Sequence, residues 1–159
     1  MWNWKPFFED DNISVFCDLD QVIDTEADEN GFYSSPDCYR PLPARFGVFI
    51  SIVLKKKEDI VRYLEQRKKR SLTLTGYKSY QYSLCLAEID ARRMMCRVLP
   101  AGDFDKNDKE LGEDCIITEA MTAMLPGIND EWRPIRSKKS HPMIRDLAKM
   151  FFPKDTGDR

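Results

Sequence analysis

Two aspartates lie two positions apart, directly after a short apolar run near the start of the chain. The run contains Val15 and Phe16, and the carboxylates belong to Asp18 and Asp20. A carboxylate that attacks phosphorus needs a neighbouring acid to protonate the leaving oxygen, and both need a cation nearby. The pattern therefore allows two interpretations. Either the pair is catalytic, or residues 15–24 form an edge strand that runs into an acidic loop with both carboxylates solvated.

The segment from Val15 to Asp24 resembles the first signature of the haloacid dehalogenase-like phosphohydrolases, an apolar strand followed by two aspartates one residue apart. The resemblance implies that Asp18 is the nucleophile, that Asp20 is the acid/base and that Mg²⁺ neutralises the phosphate. It also implies that Thr75, at the end of a later apolar run, binds phosphate. Asp130 would supply the terminal acidic motif and, with the first two aspartates, hold the metal. A small Mg²⁺-dependent phosphohydrolase is thus the alternative function.

The middle of the chain shows the clearest pattern of secondary structure. Large apolar residues alternate over residues 46–54, which predicts a strand. Helical spacing follows over residues 58–70, and alternation returns over residues 72–86 with a Gly76 turn, which predicts a hairpin. A further strand is predicted over residues 94–99. Strand, helix, hairpin and strand together predict an α+β domain, with an antiparallel or mixed sheet and helices packed on one face.

The predicted helix over residues 58–70 should bury one apolar stripe. Ile60, Val61 and Leu64, with Tyr63 beside them, fall on the same side at helical spacing. Two further helices are predicted later in the chain, over residues 115–125 and 142–152.

Length and composition favour a single globular domain. The chain has 159 residues, of which 33% are charged and 42% hydrophobic. Residues 1–12 are interpreted as an aromatic arm and residues 13–159 as the domain. The five cysteines are scattered and the chain has one histidine, a pattern that favours reduced thiols in the cytoplasm over a Cys/His metal site. No apolar run approaches the length of a transmembrane helix, so no transmembrane segment is expected.

Acidic and basic residues alternate in blocks, although the net charge is only −2. Residues 1–39 hold ten acids against one base, and residues 55–70 hold eight bases against three acids. Residues 103–119 are again acidic, and residues 132–149 hold six bases against one acid. The blocks are interpreted either as solvated faces or as complementary patches that meet between copies of the chain. The basic ones can also contact an anionic surface, such as nucleic acid or lipid.

The strand, helix and hairpin predicted over residues 44–90 resemble, in order and pattern, part of the matrix proteins of rhabdoviruses. In those proteins the hairpin has an apolar-Gly-basic-aromatic turn, and residues 72–80 would form it here. The resemblance implies a homo-oligomer or larger protein assembly that coats a nucleocapsid and contacts anionic membrane. It further implies a location in the host cytoplasm or the virion.

We therefore expect a non-enzymatic structural protein of viral origin that needs no cofactor. The phosphohydrolase alternative makes the opposite prediction for residues 77–90, because that fold requires a helix where the alternation predicts a strand. The expected contacts with partners are the bases that flank the first helix and those near the C-terminus. These residues are Lys55, Lys56, Lys57, Arg67, Lys68, Lys69, Arg70, Arg133, Arg136, Lys138 and Lys139.

Overall fold

An antiparallel sheet runs through the computed structural model, which describes residues 2–26, 33–34, 42–112 and 114–152. Its strands are β1 (Lys5–Glu9), β2 (Ile13–Asp24), β3 (Tyr33–Ser34), β4 (Arg45–Leu54), β5 (Tyr80–Asp90), β6 (Met95–Asp105), β7 (Glu110–Gly112) and β8 (Arg133–Pro134). Six of them lie side by side in the order β1-β2-β4-β5-β6-β7. The two-residue strand β3 pairs with β2, and β8 pairs with β6.

Three helices accompany the sheet and contribute to one hydrophobic core against it. The predicted α+β fold class is confirmed. The first and last predicted helices are found with nearly the predicted bounds, whereas the middle one is only four residues long and is followed by turns. They are α1 (Lys57–Lys69), α2 (Ile117–Ala120) and α3 (Pro142–Phe151).

The main core lies between the sheet and these helices. Strand β4 is at the centre, where Val48, Ile50 and Ile52 are fully buried on the side that faces the helices. Their period-two spacing places all three on one face of the pleat. From α3, Met143 and Leu147 are likewise fully buried in this core. The alternation of apolar residues over residues 46–54 therefore correctly predicted the buried face of β4.

Aromatic residues cover part of the opposite face of the sheet. Trp2 and Trp4 stack on each other, with ring centroids 4.8 Å apart, and make edge contacts with Phe49 and Tyr82. Tyr82 in turn stacks on Phe104 at 5.3 Å. The residues interpreted as an aromatic arm therefore pack back on the domain, and part of them forms β1, which pairs with β2.

The hairpin predicted over residues 72–86 is wrong in its first half. Residues 71–76 form no strand, and a 3₁₀ turn at Tyr77–Ser79 leads into β5. Positive φ angles at Ser71 (57°) and Gly76 (81°) turn the backbone at both ends of this segment. Arg67 Nε donates to the carbonyl of Thr73 at 3.1 Å, so this carbonyl is bound by a side chain and not by a strand partner. The hairpin that does form joins β5 to β6.

The buried side of α1 also differs from the prediction. Asp59, Tyr63 and Arg67, spaced four residues apart, are the buried residues of the helix. Val61 is 47% exposed, and Ile60 is only partly buried. The predicted stripe is therefore partly right: Tyr63 is buried and Ile60 and Leu64 pack against the core, but Val61 is exposed. The helix is turned because Tyr63 and Arg67 contact a buried polar cluster, described below.

Within the described residues, each helix is too short or too polar to cross a membrane.

Candidate functional site

The segment between residues 126 and 142 is fixed to the edge of the sheet. The Asn129 carbonyl accepts a hydrogen bond from the Val98 amide at 2.8 Å, and the Ile135 amide donates to the Met94 carbonyl at 2.9 Å. Between these points β8 pairs with β6. Because strand-like bonds and the buried Ile135 side chain hold it, this loop is a defined surface of the domain.

A tight turn then leads into α3. The Ser137 carbonyl accepts from the Ser140 amide at 3.0 Å, and the Ser137 hydroxyl accepts from the Lys139 amide at 3.1 Å. The Ser140 hydroxyl donates to the carbonyl of Pro134. These bonds fix the backbone from which the Lys138 and Lys139 side chains project into solvent.

His141 begins α3 as its N-cap residue. Its Nδ1 accepts a hydrogen bond from the Met143 amide at 3.0 Å, and Pro142 occupies the first helical position. The imidazole is 8% exposed and makes an edge contact with the Phe8 ring. Burial lowers the pKa of His141 below its usual value of 6.5. The neutral ring is the form that can accept this capping bond.

A cavity of about 630 Å³ opens between this turn, β8 and the start of α3. Four basic residues line it: Arg133, Lys138, Lys139 and Arg145. The described residues that line it include no Asp or Glu, although Arg133 Nη2 contacts Glu131 outside it at 3.1 Å. We call this cavity the basic pocket. Its charge predicts affinity for anions.

Two arginines of the basic pocket carry buried nitrogen atoms without a hydrogen-bond partner in the described part of the chain. They are the Nε atoms of Arg133, on β8, and of Arg145, in the first turn of α3. Gly127, with φ at 78°, lies beside the first of them, and a Cβ at Gly127 would be 3.7 Å from Arg133 Nε. Buried donors of this kind need an acceptor, so the pocket has an unmet capacity for hydrogen bonds.

The N-terminus of α3 contributes a positive electrostatic field to the pocket but few free backbone amides that could donate to an anion. Pro142 has no amide hydrogen, and His141 accepts from both following amides: its ring from Met143, its carbonyl from Ile144 at 3.0 Å. The positive end of the helix dipole still points towards the pocket. Attraction of an anion therefore depends mainly on the four basic side chains.

Three arginines outside the pocket, Arg45, Arg93 and Arg97, have partners within the chain. Glu88, which is 3% exposed, lies 2.6 Å from Arg97 Nε and 3.3 Å from Arg45 Nε. The guanidinium groups of Arg93 and Arg97 also stack over the Trp132 ring, at 5.2 and 4.6 Å. These cations are compensated by a carboxylate or by an aromatic face. In the basic pocket, by contrast, only Arg133 has a carboxylate partner among the described residues.

The predicted interaction residues near the C-terminus divide in two groups. The structure brings Arg133, Lys138 and Lys139 together around the pocket, whereas Arg136 is exposed and lies outside its lining. Arg145 belongs to the site but was not predicted, because the sequence placed it in a separate helix. The sequence feature that could have identified Arg145 is its place in the first turn of α3, directly after the basic loop.

The basic residues that flank α1 are largely engaged within the chain. Lys55 Nζ binds Glu9 at 2.6 Å, and Arg70 Nη1 binds Glu119 at 2.5 Å. Arg67 is completely buried, so the prediction that it contacts a partner is wrong. Four other predicted interaction residues here are exposed and form no ion pair with a described residue: Lys56, Lys57, Lys68 and Lys69.

Asp18 is fully buried at a bulge in β2, where the pairing with β4 shifts between Asp18 and Val22. Its oxygens accept from the amide of Asp20 at 2.9 Å, the amide of Asn3 at 3.1 Å and Nε2 of Gln21 at 3.4 Å. Asp20 is exposed and accepts from Asn3 Nδ2. Strand β2 lies between β1 and β4, so the predicted edge strand with a solvated Asp18 is wrong.

The residues of the phosphohydrolase alternative lie in separate parts of the fold. Thr75 is exposed before the 3₁₀ turn, and Asp130 adjoins β6, which β4 and β5 separate from Asp18 and Asp20 on β2. Strand β5 occupies residues 80–90, where that fold requires a helix. In the part of the chain that the structure describes, no group of three or more His, Cys, Asp or Glu side chains could hold a metal ion. The proposed Mg²⁺ ligands do not come together.

A buried polar cluster surrounds Asp103 on β6, and no sequence signal pointed to it. Tyr63 and Tyr77 donate to Asp103 Oδ2, each at 2.7 Å, and Ser83 donates to Oδ1 at 2.6 Å. Arg67 Nη1 lies 3.3 Å from Oδ2. Burial raises the pKa of both tyrosines well above the usual range, so they remain donors.

Close packing of Gly112 completes the Asp103 cluster. A Cβ there would lie 2.9 Å from the Tyr77 hydroxyl and 3.3 Å from Arg67 Nη2, so the chain needs glycine at this position. Arg67 also donates to the backbone carbonyl of Asp114. The cluster ties α1 to β6, β7 and the chain before α2. Because Asp103 and Arg67 are fully buried, we interpret it as structural.

No protein-family model, curated protein or solved structure matches this chain. The side chains described above are therefore the evidence that bears on function. The resemblances to matrix proteins and to phosphohydrolases stay predictions.

Proposed function

We propose that this protein is a non-enzymatic assembly protein that binds an anionic group of its partner through the basic pocket. The observation that carries the proposal is the set of four basic side chains around one cavity whose described lining contains no acid. Two of the pocket's nitrogen atoms are buried and without an acceptor. A surface of this kind attracts anions and orients them on approach.

The distribution of ion pairs supports this face over the other basic block. Lys55 pairs with Glu9 and Arg70 with Glu119, and the buried Arg67 pairs with Asp103. Lys138, Lys139 and Arg145 make no such ion pair with a described residue. The pocket gathers its cations around one cavity, whereas the exposed lysines of the α1 region are divided between the two ends of the helix.

The proposal keeps the assembly role that the sequence favoured, including self-association and a viral structural role. It does not rest on the matrix-protein hairpin, since residues 72–80 do not form one. The anionic partner in this proposal is a nucleocapsid or another anionic surface. The compartment in this proposal is the cytoplasm, where free thiols such as those of Cys17, Cys85, Cys96 and Cys115 stay reduced.

Chromatography on immobilised heparin, used as a model polyanion, tests the proposal. A variant with Lys138→Ala, Lys139→Ala and Arg145→Ala should elute at clearly lower salt than the wild type, because it lacks three of the pocket's four cations. The matched control removes the same charge from the α1 region by Lys56→Ala, Lys57→Ala and Lys68→Ala.

The control variant should elute close to the wild type. If both triple variants shift equally, binding follows total charge and the pocket has no special role, which contradicts the proposal. Far-UV circular dichroism and a urea unfolding curve for each variant establish that the fold is retained.

A further inference from the structure

We infer that the group bound by the basic pocket is a phosphate monoester or a pyrophosphate, a tetrahedral anion with at least two negative charges. The inference rests on the proposed function and specifies its ligand chemistry. Its basis is the combination of cavity size, cation number and unpartnered guanidinium nitrogens at one place.

The size of the cavity suits a small anionic group. Its volume of about 630 Å³ lies within the range of roughly 300–1,000 Å³ that is typical of small-molecule sites. Lys138 and Lys139 are exposed at the rim, whereas Arg133 and Arg145 are partly buried. An anion can therefore meet two arginines inside while the lysines neutralise its outer oxygens.

The number of cations favours a multiply charged anion. A single carboxylate would balance one of the four positive charges of the lining, and a phosphodiester would also balance only one. A phosphate monoester carries between one and a half and two negative charges near neutral pH, about twice as much at the same place. Its closer match to the local charge favours the monoester or pyrophosphate.

The geometry of the donors points the same way. The unpartnered Nε atoms of Arg133 and Arg145 belong to different elements, β8 and the first turn of α3. A tetrahedral group offers oxygens in several directions and can accept from two guanidinium groups at once. A planar carboxylate has only two oxygens in one plane, so it offers fewer acceptors to donors that belong to two different elements.

The neighbouring helix strengthens the preference. The N-terminus of the ten-residue α3 opens beside the cavity and carries the positive end of its dipole. His141 at this end uses its ring to cap the helix, so the positive field comes from the helix and from the four basic side chains. The field of the helix adds to that of the side chains and favours the more highly charged anion.

Isothermal titration calorimetry with three probes tests the inference: pyrophosphate, O-phosphoserine and tricarballylate, a tricarboxylate without phosphorus. We expect pyrophosphate to bind the wild type with a Kd below about 1 mM. O-phosphoserine should bind more weakly than pyrophosphate, and tricarballylate at least about tenfold more weakly than pyrophosphate. A preference for pyrophosphate over the monoester would indicate a free or terminal polyphosphate as the natural source, and equal affinity a phosphorylated group on a larger partner.

Variants separate charge from geometry. Arg145→Ala should weaken pyrophosphate binding by about tenfold or more, and Arg145→Lys, which keeps the charge but loses the planar fork, by an intermediate factor. Arg62→Ala is the matched control, because it removes a mostly exposed arginine on α1 that does not line the pocket. It should bind like the wild type. Urea unfolding identifies any variant that has lost its fold.

The outcomes distinguish this inference from the proposed function. If tricarballylate binds as tightly as pyrophosphate while heparin retention still depends on the pocket, the inference is wrong and the proposed function stands. If no probe binds and heparin retention is independent of the pocket, both are wrong. Equal loss of pyrophosphate binding in the Arg62→Ala and Arg145→Ala variants would also overturn the inference.

Discussion

At the scale of single residues, the charged side chains of the Asp103 cluster and of the basic pocket differ in their partners. Asp103 is surrounded by donors, with Tyr63, Tyr77 and Ser83 each within 2.7 Å of a carboxylate oxygen. Arg67, also fully buried, compensates its charge. In the basic pocket, by contrast, cations gather without a carboxylate in the described lining. The first arrangement pairs its opposite charges and stabilises the fold, although Arg67 Nη2 has no hydrogen-bond partner among the described residues. The second leaves its cations open to a ligand.

Asp103→Asn should therefore be strongly destabilising. The amide would turn an N–H group towards neighbouring donors and leave the buried Arg67 guanidinium uncompensated, a loss of about 3–5 kcal/mol in the free energy of unfolding. With the slopes usual for urea, the unfolding midpoint should fall by about 1 M or more. Asp114→Asn is the control, since this exposed residue contributes only its carbonyl to the cluster. Equal midpoints for the two variants would contradict the structural role of Asp103.

At the scale of elements, α1 and α3 show why periodicity identifies a helix more reliably than its buried side. In α3 the predicted apolar side is Met143, Leu147, Met150 and Phe151. The first two are buried, Phe151 is partly buried and Met150 is 37% exposed. In α1 the buried side is polar, because Tyr63 and Arg67 reach a carboxylate on β6. Nothing local in the sequence of α1 marks Asp103 as its partner. Helix existence is a local property, and orientation is a tertiary one.

The cap of α3 predicts a pH dependence of stability. His141 has a pKa below its usual 6.5 in the folded state, chiefly because it is buried; Asp10 and a backbone hydrogen bond to Met124 oppose the shift, and Arg145 adds to it. The unfolded chain therefore takes up a proton first as the pH falls. Stability present above pH 6.5 should decline below it, by at most about 1.4 kcal/mol per pH unit.

The His141→Asn variant isolates this effect. Asparagine can still accept a hydrogen bond as an N-cap but does not titrate near neutral pH. Urea midpoints measured from pH 7.5 to pH 5.5 should fall for the wild type and stay nearly constant for the variant. Parallel decline in both proteins would assign the pH dependence to other groups.

At the scale of the whole molecule, folding neutralises some of the alternating charge blocks and leaves others. The acidic N-terminal block contributes Glu9 to Lys55, and the later acidic block contributes Asp103 and Glu119 to the α1 region. The C-terminal basic block keeps most of its charge. Complementary contact between copies would therefore bring the exposed lysines of the basic pocket to an acidic surface of another copy, in competition with a phosphate, which is a head-to-tail arrangement.

Light scattering on a sizing column tests this arrangement. We expect a mass above that of the monomer at about 0.1 M salt and a monomer at about 1 M, as the screening length falls from about 10 Å to about 3 Å. The triple pocket variant should be monomeric at both. A wild-type monomer at both salt concentrations, at tens of micromolar protein, would exclude self-association through charge and leave an unrelated anionic partner.

The sequence by itself determined the strand over residues 46–54, the first and last helices and the α+β class, because these depend on spacing between neighbouring side chains. It also indicated the basic C-terminal loop. Only the tertiary structure decided that Arg145 joins that loop, that Asp18 is buried and that Arg67 belongs to the Asp103 cluster. Each of these depends on contacts between residues far apart in the chain. Such contacts form only when the sheet and the helices pack together, and the spacing of neighbouring residues does not predict them.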